Sequence, residues 1–171
     1  MLSETIDDTT YSYTYDNVGN LLSASDGTTS HTYRYNHGSW GDYLSHYDGQ
    51  LIEYDAIGNP ISYYNGTRWA MTWQNGRQLA TASDGTNSIS YEYDQQTGSR
   101  IKKVVNGTTY NYYYASGRLI RMEAGNDILD FFYDHNGQPY AVNYNGTRYY
   151  YITNLQGDVV RIVNAAGTSM G

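Results

Sequence analysis

The sequence predicts an all-β fold: repetitive antiparallel β-hairpins of about 20 residues, forming a curved sheet or solenoid. Three observations carry that reading. Tyrosines alternate with small hydroxyl residues, as in Tyr11-Ser12-Tyr13-Thr14-Tyr15, a period-2 pattern that puts the rings on one face of a strand. An acidic turn with a glycine follows and returns at a fixed spacing. Between its copies lies a second family of turns built on Asp-Gly and Asn-Gly, the strongest short-range hairpin signal.

The first copy shows how one unit works. The tyrosine run stops at Asp16, whose side chain can accept a hydrogen bond from the backbone two residues on. Gly19 supplies a residue free to take positive φ, and Leu21-Leu22 begins the return strand. Tyr54-Asp55-Ala56-Ile57-Gly58 is nearly a copy. Tyr93-Asp94 reaches Gly98 with one extra turn residue, and Tyr133-Asp134-His135-Asn136-Gly137 keeps the register. Worn versions start at Trp73, Tyr114 and Tyr151. With Tyr35 as a ragged second copy, the anchors are 15, 35, 54, 73, 93, 114, 133 and 151. Residues 1–171 therefore read as a single array of about eight hairpins.

The second turn family comprises Asp26-Gly27-Thr28, Asn65-Gly66-Thr67, Asp84-Gly85-Thr86, Asn106-Gly107-Thr108 and Asn145-Gly146-Thr147, with Gly125-Asn126-Asp127 in the sixth gap. These dipeptides favour the two-residue type I′ turn. Three of them also match the N-glycosylation pattern. Turn chemistry explains all five, so the turn reading is the better one. Residues 36–50 break the rhythm and read as an irregular insertion around Trp40, the place where a partner contact would sit. No segment carries apolar residues at helical spacing.

Composition supports a thin sheet. Leu, Ile, Val and Phe make up under a fifth of the chain, and 22 tyrosines supply the missing apolar area. The net charge of -7 and the scattered basic residues argue against a nucleic-acid surface. With no cysteine, disulfides and thiolate metal sites are impossible. No stretch approaches the length of a membrane span, and the N-terminus lacks the basic and apolar regions of a signal peptide. From its first and last residues the chain reads as an excerpt of something longer.

Catalytic or metal-binding constellations do not emerge. His31, His37, His46 and His135 lack metalloprotease spacing. Gly38-Ser39-Trp40-Gly41 lacks the second spacer of a nucleophile elbow. A row of Asp16, Asp55, Asp94 and Asp134 invites a calcium ladder. Each carboxylate capping its own turn is the better account, and no cofactor is expected.

The segments beginning Tyr13-Thr14-Tyr15-Asp16, Tyr54-Asp55, Tyr91-Glu92-Tyr93-Asp94 and Tyr133-Asp134 resemble the YD repeat, also called the Rhs repeat. The resemblance covers essentially all of the chain, and the segment from Tyr149 to Val160 is similar to late repeats of Gram-positive wall-associated members. It implies a β-sheet that is part of a spiral shell, as in bacterial polymorphic toxins, insecticidal toxin complexes and teneurins. It also implies a secreted or cell-surface, wall-associated bacterial protein. Its partners would be neighbouring repeats and an enclosed C-terminal toxin domain. The family's self-cleaving segment is rich in Asp-Pro, a pair this chain lacks, so enzymatic activity is not expected here.

The alternative is a carbohydrate- or surface-binding module using Trp40, Trp69 and Trp73 with the tyrosine stripes. The Tyr- and Gly-rich cell-wall-binding repeats of clostridial surface proteins are superficially similar, but carry tryptophan in nearly every repeat. Open strands at Tyr11–Tyr15 and Val159–Val163 would also favour edge-to-edge self-association.

Overall fold

In the computed structural model, residues 2–37 and 43–170 are described. They contain strands and turns and no helix. The chain divides into two compact units, Met1–Asn87 and Ser88–Gly171.

Among the described residues the first unit holds ten strands: β1 (Ser3–Ile6), β2 (Thr9–Tyr15), β3 (Leu21–Ser25), β4 (Ser30–His37), β5 (Tyr43–Tyr47), β6 (Gln50–Leu51), β7 (Glu53–Tyr54), β8 (Pro60–Tyr64), β9 (Arg68–Gln74) and β10 (Gln78–Ser83). Strands β1 to β6 pair in sequence order, and β7 to β10 do the same. At Ile52 the chain passes from pairing with β5 to pairing with β8. Its N–H donates to the Ser45 carbonyl at 2.8 Å, and its side chain is fully buried.

The second unit is a meander of eight strands: β11 (Ser88–Tyr93), β12 (Arg100–Val105), β13 (Thr108–Ala115), β14 (Arg118–Ala124), β15 (Asp127–Tyr133), β16 (Pro139–Tyr144), β17 (Thr147–Thr153) and β18 (Val159–Val163). Each pairs antiparallel with its neighbour in the chain. A turn with the same backbone bonding as Asp16–Asn20 follows β18 at Asn164–Thr168, at the edge opposite the acidic turns, and Ser169 bridges back to Val163.

One irregularity recurs in the hairpins closed by the acidic turns. Tyr54 lies opposite Pro60 and Glu53 opposite Ser62, so Ile61 is the extra residue of a β-bulge. The same shift falls at Leu22, Ser45, Ala80, Ile101, Ile120, Tyr140 and Val160. A bulge bends its strand and raises the local twist, so curvature is introduced once per repeat.

The core is small. Among the described residues the buried apolar side chains are Ile52, Ala82, Ala141, Val142 and Val163. Tyrosines compensate by lying half-buried along one face, as at Tyr91, Tyr93, Tyr110 and Tyr112.

The second turn family is more varied than the expected type I′. Asn106-Gly107 and Asn145-Gly146 have both residues at positive φ, 50° and 85°, and 49° and 85°, as that turn requires. At Asp26-Gly27, Asn65-Gly66 and Asp84-Gly85 only the glycine does. At the two aspartate turns the reason lies in the side chain. The Asp26 carboxylate reaches forward to the N–H groups of Thr28 and Thr29, at 2.8 and 2.6 Å, which opens the loop to four residues. Residues 38–42, with Trp40, lie outside the described residues. Of the expected 36–50 insertion, Tyr43–Tyr47 is strand β5, and Asp48-Gly49 forms a tight turn with φ 48° and 74°.

Candidate functional site

The acidic turns form one edge of each unit. Asp16 Oδ1 accepts from the N–H of Val18 and of Asn20, at 3.0 and 2.8 Å, and its Oδ2 accepts from the Asn20 amide. Asp55 repeats the set with Ile57 and Asn59. Asp94 accepts from Gln96 and Thr97, and Asp134 from Asn136 and Gln138. Gly19, Gly58, Gly98 and Gly137 all take positive φ, between 71° and 95°. Hydrogen bonds to the ionised form hold carboxyls below their ordinary range. The Asn20 N–H does so first at Asp16, the Asn59 N–H at Asp55 and the Thr97 N–H at Asp94. These oxygens face inward to their own turns, and no group of three or more His, Asp or Glu side chains placed to hold a metal occurs among the described residues.

Behind the turns lie the anchors, and here the structure adds a device. The Tyr54 hydroxyl donates to the Leu44 carbonyl at 2.8 Å, and the Trp73 indole N–H donates to Pro60 at 2.7 Å. Tyr114 donates to Arg100 at 3.0 Å and Tyr133 to Leu119 at 2.8 Å. Each acceptor stands opposite the preceding anchor, Tyr35, Tyr54, Tyr93 or Tyr114. Each also directly precedes a bulge residue. The bulge disrupts the ladder at that point, and backbone carbonyls taken from water need a donor. At these four anchors an aromatic with a polar tip supplies it, which phenylalanine could not do.

Register then sorts the two faces. In the second unit Tyr93, Tyr114, Tyr133 and Tyr151 share a face with Tyr91, Tyr110 and Tyr149. The opposite face carries the Lys102–Glu92 pair at 2.8 Å and the Arg121–Asp130 pair at 2.6 Å. Exposed Ile101, Ile120, Tyr140 and Val160 lie on it too, at the bulges. In the first unit Tyr54, Trp69 and Trp73 share a face, Trp69 opposite Tyr63. Tyr15 lies on the row of Tyr11 and Tyr13 in β2. Trp73 is half-buried and its indole N–H is already engaged, whereas Trp40 falls outside the described residues. A shallow depression of about 380 Å³ lies between two turns, lined by Gln138, Tyr140, Tyr151 and Asn154 among others.

Sequence reasoning missed a second staple. Asn145 Oδ1 accepts from the Ile128 N–H at 2.8 Å while its own N–H donates to the Ile128 carbonyl at 2.9 Å. Asn106 grips Ser88 in the same way, and Asp48 grips Thr32. In all three, the first residue of a tight turn extends the ladder onto the strand before its own hairpin. The signal in the sequence is only Asn-Gly or Asp-Gly, which marks the turn but not the neighbour it holds. Space is also rationed at two of the motif glycines. A Cβ on Gly58 would meet the Tyr43 ring, and one on Gly137 the Arg118 guanidinium.

No family model matches the chain. It is 30% identical over 183 residues to the tRNA3(Ser)-specific nuclease WapA of Bacillus spizizenii, covering 99% of this chain and 8% of that protein. The tRNA nuclease WapA of Bacillus subtilis gives the same identity and coverage. The chain thus spans less than a tenth of the length of these relatives. Among solved structures it is similar to the Photorhabdus luminescens Tc holotoxin pore, at 16% identity and a TM-score of 0.43 over 96% of this chain and 9% of that one. It is also similar to TcdB2-TccC3 without its hypervariable C-terminal region, at 15% identity and a TM-score of 0.48 over 96% and 10%.

Proposed function

This chain belongs to the YD-repeat, or Rhs-repeat, family, and we propose that it is a non-catalytic length of the shell wall that such repeats build around, or present to, a C-terminal effector domain. The observation that supports this most is the anchor-to-bulge hydrogen bond. Through Tyr54, Trp73, Tyr114 and Tyr133, four hairpins supply the donor that completes the one before, so these repeats are finished only by their successors. That is the construction of a wall rather than of a binding pocket. In this reading residues 1–171 form one continuous array of about eight hairpins, and the motif residues from Tyr15 to Gly137 serve the wall itself. The relatives are named for nuclease activity as whole proteins. That activity is proposed to reside outside the segment that this chain matches. Their kinship also supports a secreted or wall-associated bacterial protein, whose parent chain supplies neighbouring repeats and the effector.

Carbohydrate binding stands second, carried by Trp69 and the tyrosine face. One experiment separates the readings: the purified chain is incubated with tRNA and, in parallel, with cell-wall glycan in a pull-down. The wall reading expects intact tRNA and no retention on glycan. Cleavage, or retention abolished by Trp69→Ala, would overturn it. Strand β18 leaves Val159 and Val160 exposed, and edge-to-edge association through it would appear as a rising mass in light scattering across a concentration series.

A further inference from the structure

Asn-Gly pairs occur at positions 65, 75, 106, 136 and 145, and their side chains are not equally held. Asn145 has its Oδ1 on the Ile128 N–H and its Nδ2 on Asp127, at 2.8 and 3.0 Å. Asn106 Oδ1 accepts from Ser88 at 2.8 Å. Asn75 Nδ2 donates to Gln78 at 3.0 Å. At Asn136 it is the following nitrogen that is engaged, because the Gly137 N–H donates to the Asp134 carbonyl at 3.0 Å. Asn65 differs on both counts. Its Oδ1 has only a long contact to the Thr67 N–H, at 3.4 Å. The Gly66 N–H donates no hydrogen bond among the described residues, both residues are exposed, and the space beside Gly66 is open.

We propose that Asn65 is a self-modification site: in the folded chain it converts to aspartate and isoaspartate while the other four Asn-Gly pairs are held back. The Gly66 nitrogen attacks the Asn65 Cγ and gives up its proton to water. A new N–C bond closes a five-membered succinimide, the Cγ–Nδ2 bond breaks, and the amide nitrogen leaves as ammonia. Water then adds to one of the two ring carbonyls. Opening one way yields aspartate, and opening the other way yields isoaspartate, with one extra carbon in the main chain. Ring closure needs the side-chain carbon brought against the next nitrogen in a near-attack arrangement. A side chain held away from that nitrogen, or a nitrogen whose N–H is already donated, must first be released. The aspartate product places a carboxylate in the β8–β9 turn, as Asp26 and Asp84 do in theirs. The isoaspartate product lengthens the turn that sets Tyr64 opposite Arg68.

The test is to incubate the folded chain in mildly alkaline buffer and map peptides by mass spectrometry over time, with isoaspartate scored by methyltransferase labelling. A parallel sample is kept in concentrated urea. Conversion at Asn65 should outpace Asn75, Asn106, Asn136 and Asn145 by roughly tenfold or more, a factor that corresponds to about 1.4 kcal/mol of activation free energy. In urea the five sites should converge, and Asn65→Gln should abolish the fast phase in the folded chain. Equal rates at the five sites in the folded chain, or a faster Asn145, would overturn the proposal.

Discussion

Alanine at the turn glycines separates backbone strain from crowding. Gly19 and Gly58 sit at equivalent places in the first unit, with φ of 95° and 85°. An L-residue in this region costs about 1–2 kcal/mol, and the stiffer unfolded chain returns about 0.4–1 kcal/mol. Nothing lies within 4 Å of a Cβ at Gly19, so Gly19→Ala should cost about 1 kcal/mol. At Gly58 the new methyl meets the hydroxyl and ring carbons of Tyr43. That ring cannot swing away freely, because it packs on Tyr54 at 5.1 Å between centroids. Overpacking adds about 1–3 kcal/mol, giving about 2–4 kcal/mol in all. Urea unfolding followed by circular dichroism reads both variants. Adding Tyr43→Ala to Gly58→Ala should recover most of the excess, since the cycle isolates the pairwise contact. A Gly19→Ala loss as large as that of Gly58→Ala, or no coupling with Tyr43, would refute the crowding argument.

Gly137→Ala should fall between these two, because it displaces only the flexible end of Arg118, which lies 5.8 Å over the Tyr133 ring; comparison with Gly117→Ala in the same unit checks it. Trp73→Phe removes the donor to the Pro60 carbonyl and should cost about 1 kcal/mol, seen as a lower urea midpoint. The carboxyls of Asp16, Asp55, Asp84 and Asp94 are held below their ordinary range by N–H donors. A depressed folded-state pKa contributes stability above the unfolded value, about 3.9. That stability is lost as pH falls through the folded values, so Tm should drop as pH falls below about 4; a flat Tm there would count against the caps. At the alkaline end, the Glu4 acceptor pushes Tyr13 up to about 12, and burial raises Tyr54 and Tyr151. Raised phenols stabilise below about pH 10 and lose that contribution as pH rises through the folded values, which near-ultraviolet phenolate absorbance should report as late, partly cooperative ionisation.

Much of the architecture was legible because its signals are local. Alternation in Tyr11–Tyr15 needs only the two-residue period of a strand, and the Asp16 cap needs only four residues of chain. The type of each Asn-Gly or Asp-Gly turn was less legible. Asp26 and Asn106 carry the same expectation, yet one side chain reaches forward within its own loop and the other reaches 18 residues back to Ser88. No local rule distinguishes these outcomes, since the second depends on which strand lies alongside.

The strand class, the period near 20 residues and the places where the chain turns are written locally, because dihedral preferences and side-chain alternation act over a few bonds. Tertiary structure alone decided why the anchor must carry a polar tip, where the bulges fall and which glycines are crowded. Tyr133 meets the Leu119 carbonyl, and Gly58 meets Tyr43, only once neighbouring hairpins lie side by side. A hydrogen-bond partner or a steric neighbour 14 or 15 residues away is a property of register, and register is set when strands pair rather than when each is written.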